Sequence, residues 1–534
     1  MAVKWIWGFE SGASREFYSG SGWGVDSPHP DGSASLYTAA GLTEASDGLY
    51  DFSHNHPHQP PTTAGGGRYS LRVSAPFHSS IGGDGDPGSI DMSELPFGIL
   101  SPSFGNLTEG CLSLSVHSDS DFADWPDDAP GSGIAAVSRL QRFLALYPEQ
   151  TNLVPTSGSD LSSAFKVRFL DSPISQSPSL PAQLQLYSFS TGTLGGPVEN
   201  KIAAVCRYGF ANTGSVPDVT TTGTGPVLGI SDSCNFLWPY MPQYFSVIAA
   251  TPWEGGTNWG LVAYTSSAGV SLQQGWNEVT INYIPHASNG TIKIFLNGTA
   301  IIDQEGVPTG YSSSVDDGGT PIDTGLGWGK ILFTTTPFTM LPRALAPELT
   351  GTLEPSGFLY DHVVVFDENS DLDIATSSIY VQGVGPVQDH ETGNFIGDNS
   401  QTASLFDFVD DQNYFMNNNY LMASSSAPSG NSCDFYYNKL NFLKAGSTEW
   451  DMNNVLSIVG VNVISAVSGA DVSGSSVYRG CNPVCSPFAT GTAFNLAGKQ
   501  FVHHTSGSDS DGRSWDYLTG SGAEGITAGL VYIT

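Results

Sequence analysis

Apolar and polar residues alternate with a period of two along much of this chain, the spacing of strands that bury one face and expose the other. Ala2 to Glu10 alternates aromatic and small residues and runs into Ser11-Gly12, a strand meeting a turn. Arg68 to Val73 repeats the pattern. So does Cys111 to His117, which sets Leu112, Leu114 and Val116 on one face. Phe165 to Leu170 and Leu184 to Phe189 continue it, and Trp259 to Thr265 with Val270 to Leu272 reads as a hairpin around Ser266-Ser267. One stretch predicts a helix: Ile134 to Leu146, with Ala, Arg, Leu and Phe at mixed spacings and a proline soon after.

The clearest pattern lies between Gly275 and Asp303. Polar Glu278, Thr280 and Asn282 alternate with apolar Val279, Ile281 and Tyr283. A polar turn from His286 to Gly290 leads into the return strand Thr291 to Leu296. Asn297-Gly298 is a two-residue turn suited to hairpins, and Thr299 to Ile302 starts the next strand. Three antiparallel strands with short turns make a meander. Trp276 is out of step with the apolar face, so a bulge near Asn277 is expected to let it cap that face from within. Phe358 to Phe366 is nearly continuous in apolar residues and reads as a buried strand closing a first domain.

An acidic, polar stretch from Asp367 to Asp373 follows, and it places a domain boundary near residue 370, giving regions 1–370 and 371–534. The second region offers strands at Gln401 to Asp407, Asp434 to Leu443, a central Val455 to Val467, Phe501 to His504 and a terminal strand from Gly529, with a Ser/Gly-rich turn after Val467. No fixed period indicates a solenoid or propeller.

Composition supports an all-β chain. Charged residues make up only 13% of the 534. Gly, Ser, Thr, Asn and Pro take their place, as many tight turns require. The 11 Trp, 21 Tyr and 28 Phe supply ample core material and argue against disorder. The net charge of -33 repels phosphate backbones and anionic lipid, so nucleic-acid and membrane partners are not expected. The N-terminus has no apolar stretch of the length a Sec signal needs, and no run is long enough to span a membrane. Synthesis in a cytoplasm is expected, yet the composition is that of an extracellular module, and release of particles by lysis reconciles the two. Of six cysteines only Cys481 and Cys485 lie close together, as a thiol pair or one local disulfide.

Several motifs together resemble a known family. Trp7-Gly8-Phe9-Glu10-Ser11-Gly12, Gly66 to Arg72, Gly275-Trp276-Asn277 and Phe295-Leu296-Asn297-Gly298 look like the concanavalin-like (laminin-G-like) jelly roll, as does the closing Tyr360 to Val365. The early Phe-Glu-Ser-Gly and the acidic exit Val365 to Glu368 resemble structural proteins of tailed bacteriophages, as do Ser514 to Leu518 and Ala523 to Val531. In those proteins a second β domain follows the jelly roll. Asn152 to Leu161 and Val307 to Thr350 stand out as long inserts. The resemblance implies a jelly-roll sandwich followed by a second, smaller β-sandwich. It implies a virion component assembled in the host bacterial cytoplasm, attached to tail or capsid as a fibre or decoration. Its partners would be other virion proteins and further copies of itself, with no cofactor.

Candidate chemistry is sparse. A Glu-x-Asp-x-Glu strand, as a glycosidase of this fold needs, is absent, and so is Gly-x-Ser-x-Gly. The expectation is therefore no catalytic residue and no enzymatic activity. Metal binding stays open. His54, His56 and His58 would share one face of a strand and suit a transition metal, while Asp119, Asp121 and Asp124 could hold calcium. The alternative to a structural role is a carbohydrate-binding module that recognises host glycan through Trp125, Trp238 and Trp253.

Overall fold

The computed structural model describes residues 3–9, 24–25, 70–74, 98–118, 137–151, 153–155, 176–178, 182–192, 198–210, 258–312, 327–334, 338–339, 357–368, 372–376, 379–381, 388–391, 395–397, 404–405, 421–423, 432–438, 458–482, 484–485, 489–490, 494–508, 514–515 and 525–533. Within them the chain is nearly all β. The first region contains β1 (Val3–Trp7), β2 (Leu71–Ser74), β3 (Gly98–Leu100), β4 (Gly110–Ser118), β5 (Val137–Tyr147), β6 (Leu184–Gly192) and β7 (Val198–Phe210). It continues through β8 (Asn258–Thr265), β9 (Gly275–Ile284), β10 (Gly290–Leu296), β11 (Thr299–Val307), β12 (Lys330–Thr334) and β13 (Gly357–Phe366).

These strands form two sheets. One runs β1-β13-β4-β9-β10-β11 with β2 beside β13, and the other runs β8-β7-β6-β5-β12-β3. The first strand of the chain pairs antiparallel with the last strand of the sandwich, Ile6 opposite Val364 and Trp7 opposite Val363. That closure, with the meander β9-β10-β11 in the same sheet, is the concanavalin-like jelly roll.

The core lies between the sheets. Leu112, Leu114 and Val116 of β4 meet Val279, Ile281 and Tyr283 of β9 and Phe358, Tyr360, Val363 and Val365 of β13. The facing sheet contributes Phe143, Leu144, Leu184, Leu186, Ile202, Ile331 and Phe333. Each such side chain, fully buried, stabilises by roughly 1.5–3 kcal/mol. The Tyr360 hydroxyl spans the sandwich, lying 2.5 Å from the Phe143 carbonyl and 2.7 Å from that of Thr334. The Asn297-Gly298 turn has φ of 50° and 75°, the paired left-handed conformation of a tight hairpin.

Four expectations need correction. The helix expected over Ile134 to Leu146 is strand where the residues are described, for Val137–Tyr147 is a central strand of the second sheet. Phe143 to Tyr147 are buried consecutively because both faces are covered: Phe143 and Leu144 join the core, while Ala145 and Tyr147 pack outside with Leu100, Ala182 and Leu332. Such a strand loses the alternation that would announce it. Second, Val307 to Thr350 is not wholly an insert, because β12 sits in the sheet between β5 and β3 and Trp328 is fully buried. Third, Val270 does not pair back onto β8; it forms a parallel bridge to Lys201, held by the Ser266 hydroxyl, which donates to the Val270 carbonyl at 2.6 Å. Finally, the Ser/Gly-rich stretch after Val467 is strand rather than turn.

That last stretch belongs to a third sheet, made of β14 (Gln388–Glu391), β15 (Ser432–Asn438), β16 (Val461–Asn482), β17 (Phe494–Ser506) and β18 (Gly525–Ile533). Its order is β14-β15-β18-β16, with β17 also on β16. Ser473 to Cys481 pairs with β18, and the earlier part of β16 with β17, so one ladder or the other holds the small residues along the strand. Trp515 is buried, its indole N–H donating to the Ser506 carbonyl at 3.0 Å. Cys481 and Cys485 are backbone partners in a short antiparallel pairing. Phe165 to Leu170 lies outside the described residues.

The one-turn helix α1 (Leu372–Ala375) and residues 379–381 run over the outer face of the first sheet. There Val3, Ile6, Cys111, Val364, Phe366 and Ala375 are buried, with Leu372, Ile379, Val381 and Val459 packed on them. The Asn462 amide donates to the Ile6 carbonyl at 2.8 Å, and a Cβ on Gly460 would come within 2.8 Å of Ile6 Cδ1. A fragment ending at residue 385 is therefore expected to be more stable than one ending at 370, by on the order of 2–4 kcal/mol for the apolar surface kept covered. Chemical denaturation of both fragments checks this, and equal midpoints would count against a stabilising role for the segment.

Candidate functional site

The outer face of the first sheet is where the described residues concentrate buried polar chemistry. Because strand residues alternate, those opposite the core positions of β4, β9 and β13 point outward. The register aligns them in rows. Trp276 stands opposite His117, and His117 opposite Leu359; Glu278 is opposite Ser115, and Ser115 opposite Asp361; Thr280 is opposite Ser113, and Ser113 opposite Val364. Ser113, Ser115, His117, Thr280, Asn282, Asp361 and His362 are all buried.

Buried polar groups need partners, and much of the satisfaction comes from the downstream segment. The Thr280 hydroxyl donates to the Ala375 carbonyl at 2.7 Å. The Asn282 amide donates to Cys111 Sγ at 3.2 Å. Tyr380 donates its hydroxyl to Glu278 Oε1 at 3.4 Å, and the Val381 N–H donates to His362 Nδ1 at 3.1 Å. His362 sits where the register of β13 with β4 breaks between Asp361 and Val364, with a left-handed φ of 52°. Such a conformation at a non-glycine residue costs on the order of 1–3 kcal/mol and re-aims the side chain. Its backbone N–H donates to Asp361 Oδ1 at 2.7 Å, and Nδ1 lies 3.3 Å from the same oxygen. Its ring meets that of Tyr380 edge-on, 5.3 Å between centroids.

Trp276 differs from its expected place. The register of β9 with β4 runs unbroken from Gly275 to Tyr283, so no bulge turns the indole inward. It lies on the outer face beside His117, ring centroids 5.3 Å apart, and is 8% exposed. Asn277 does the local organising. Its amide donates to the Gln273 carbonyl at 2.8 Å and the Gly275 carbonyl at 3.0 Å, while its oxygen accepts from the Gln273 N–H at 3.0 Å.

At the far edge of the sheet, Lys293 on β10 pairs with Asp303 at 3.3 Å and with Glu305, both on exposed β11. The Glu305 hydrogen bond comes first among the causes that raise the Lys293 ammonium above its ordinary range. An acidic, kinked edge strand of this kind discourages strand addition. In the core, burial pushes the Cys206 thiol and the Tyr283 phenol up, which keeps both neutral.

The other sequence-derived candidates (His54, His56, His58, Asp119, Asp121, Asp124, Trp125, Trp238 and Trp253) lie outside the described residues. Among the described residues no group of three or more His, Cys, Asp or Glu side chains is placed to hold a metal, and no helix is long and apolar enough to cross a membrane.

No family model matches the chain, and no curated protein matches it. It is similar in fold to solved structures. One is an endo-1,3-beta-glucanase from Streptomyces sioyaensis, at 10% identity and a TM-score of 0.22, covering 65% of this chain and 98% of that one. Another is a beta-porphyranase from the human gut bacterium Bacteroides plebeius, at 9% identity and a TM-score of 0.20, covering 67% and 98%. The strand order itself makes the described residues nearly all β and the first region a concanavalin-like jelly roll.

The exclusion of enzymatic activity drawn from the sequence is overturned, since both of these similar structures are enzymes by name. Its premise was also too narrow. It sought carboxylates spaced along one strand, whereas the sheet brings Glu278 and Asp361, from different strands, into one row on either side of Ser115. Two strand spacings separate them, about 9–10 Å between backbones.

Proposed function

We propose that this chain is a structural component of a bacteriophage particle, a tail- or capsid-attached protein held in place by protein contacts. The observation that carries the reading is the junction between the two regions. The outer face of the jelly-roll sheet is taken up by the chain's own downstream residues, through the cluster around Val364 and Phe366 and through Thr280, Glu278 and His362. A sandwich locked to a following β region on one face is built to transmit position and load. The order of parts, jelly roll then second β region, matches that of the virion proteins the motifs resemble. The net charge of -33 suits a surface that must not adsorb nucleic acid during assembly.

The test is immunogold electron microscopy of particles purified from the producing culture, with an antibody raised to this chain, alongside peptide mass spectrometry of the same particles. Labelling at a fixed position and a constant copy number per particle are expected. Chain found only free of particles would overturn the reading. If the free chain then bound members of a glycan array, a carbohydrate-binding role would replace it. Turnover of a polysaccharide by the free chain would replace it with a hydrolase.

A further inference from the structure

We propose that His362 is a proton-sensitive latch, holding residues 379–381 against the jelly roll at neutral pH and letting them go on acidification. The inference does not depend on the particle reading; it rests on the hydrogen-bond geometry of one imidazole.

His362 is fully buried, and the bulge in β13 with its left-handed φ presents the ring to the covering segment. Nδ1 accepts the Val381 N–H at 3.1 Å. An imidazole nitrogen that accepts has its lone pair free of a proton, so the docked arrangement requires the neutral ring with its proton on Nε2. Protonation puts a hydrogen on Nδ1. Two donors then face each other across 3.1 Å, and the Val381 contact is lost. The new Nδ1–H can turn to Asp361 Oδ1, 3.3 Å away on the same strand, an oxygen that also accepts the His362 backbone N–H. The charged ring thus exchanges a partner on the segment for one on the jelly roll.

Among the described residues, the groups facing the ring come from three elements besides its own strand. Asp361 comes from its own strand and Tyr380 from the segment, with Glu278 of β9 behind the Tyr380 hydroxyl and His117 of β4 one row away. Asp361 stabilises the protonated ring wherever the segment is, since both residues belong to β13. The Val381 bond stabilises the neutral ring only when the segment is docked. The docked state therefore binds fewer protons than the released one, and docking weakens as falling pH protonates the ring. The strain at His362 makes sense in this light: an ordinary strand residue would direct its side chain along the pleat, away from this exchange.

The experiment follows hydrogen exchange at the peptide containing Val381 across roughly pH 8 to 5, in the full chain and in His362→Asn. Asparagine tolerates a left-handed φ and offers an oxygen acceptor in place of Nδ1, yet does not titrate. Comparing the two chains at each pH cancels the intrinsic pH dependence of exchange. It also cancels other titrations, such as that of His504, whose imidazole burial holds below its usual range. Equal protection is expected at the alkaline end. Below the titration midpoint the wild type should lose about tenfold in protection per pH unit relative to the variant. Parallel curves would overturn the proposal, and so would a wild type that gains protection on acidification, which would mean the Asp361 ion pair dominates. Should the variant fail to fold, exchange at the C2 proton of His362 in the wild type reports its titration directly. The latch requires that midpoint to coincide with the loss of protection at 379–381, and a separation of the two refutes it.

Discussion

Replacing Gly290 with valine is expected to prevent the first region from folding. Gly290 opens β10 beneath the chain that returns from β11, and a Cβ there would lie 1.6 Å from Thr309 Oγ1 and 2.5 Å from the Ile284 carbonyl. Neither neighbour can yield. The Thr309 hydroxyl donates to the Ile284 carbonyl at 2.6 Å and accepts the His286 N–H at 3.1 Å, and the Thr309 N–H donates to the His286 carbonyl at 2.8 Å. The Thr309 carbonyl in turn takes the Tyr283 hydroxyl at 2.5 Å, which ties the turn to the core. Relieving the overlap would break this group of bonds together, at a cost on the order of 5 kcal/mol or more for the clash and the orphaned polar groups. Expression into the insoluble fraction, or loss of a cooperative thermal transition, is the expected result. A soluble variant melting within a degree or two of the wild type would show that the turn relaxes freely.

The second large effect is expected from Trp328→Ala. Trp328 is fully buried, its ring edge-on to Phe104 at 5.6 Å and tilted against Tyr283 at 6.4 Å. Its backbone exchanges hydrogen bonds with Leu107 at 2.7 and 2.9 Å, so the position is fixed and the cavity left by alanine has little scope to collapse. A loss of about 3–5 kcal/mol follows for an indole removed from such a site. Differential scanning calorimetry should show a fall in Tm on the order of 10 °C in the transition of the first region. Trp328→Phe keeps most of the apolar contact and should recover part of the loss. If alanine cost no more than a surface substitution, the packing around Phe104 and Tyr283 would have to be looser than its geometry indicates.

How far these features could be read beforehand differed from element to element. The meander was legible because β9 and β10 keep strict alternation and Asn297-Gly298 carries its own conformational preference; both are local properties. The closing strand was legible because Tyr360 to Phe366 is too apolar for a surface. Trp328 was missed for want of any such mark. It lies in a Gly-rich stretch, Gly327-Trp328-Gly329, where Cβ atoms on the glycines would meet the chain at Leu107 and Glu149, and only the assembled sheet explains them. β5 was misread because a strand covered on both faces shows no period. The Glu278-Ser115-Asp361 row was invisible for a different reason: its members come from three strands, and their alignment is a property of register alone.

The sequence by itself determined that the chain is all β, that Phe358 to Phe366 is a buried strand, and that the surface is strongly acidic; the jelly roll was what the motifs' resemblance implied. Alternation, turn chemistry and charge are carried by neighbouring residues, so they survive without a fold. The tertiary structure decided which face of the first sheet is covered, that Trp276 lies outside the core beside His117, and that residues 372–376 and 379–381 pack onto the sandwich. It also decided that His362 faces Val381. Each of these depends on contacts between residues distant in the chain, and no local preference encodes such contacts.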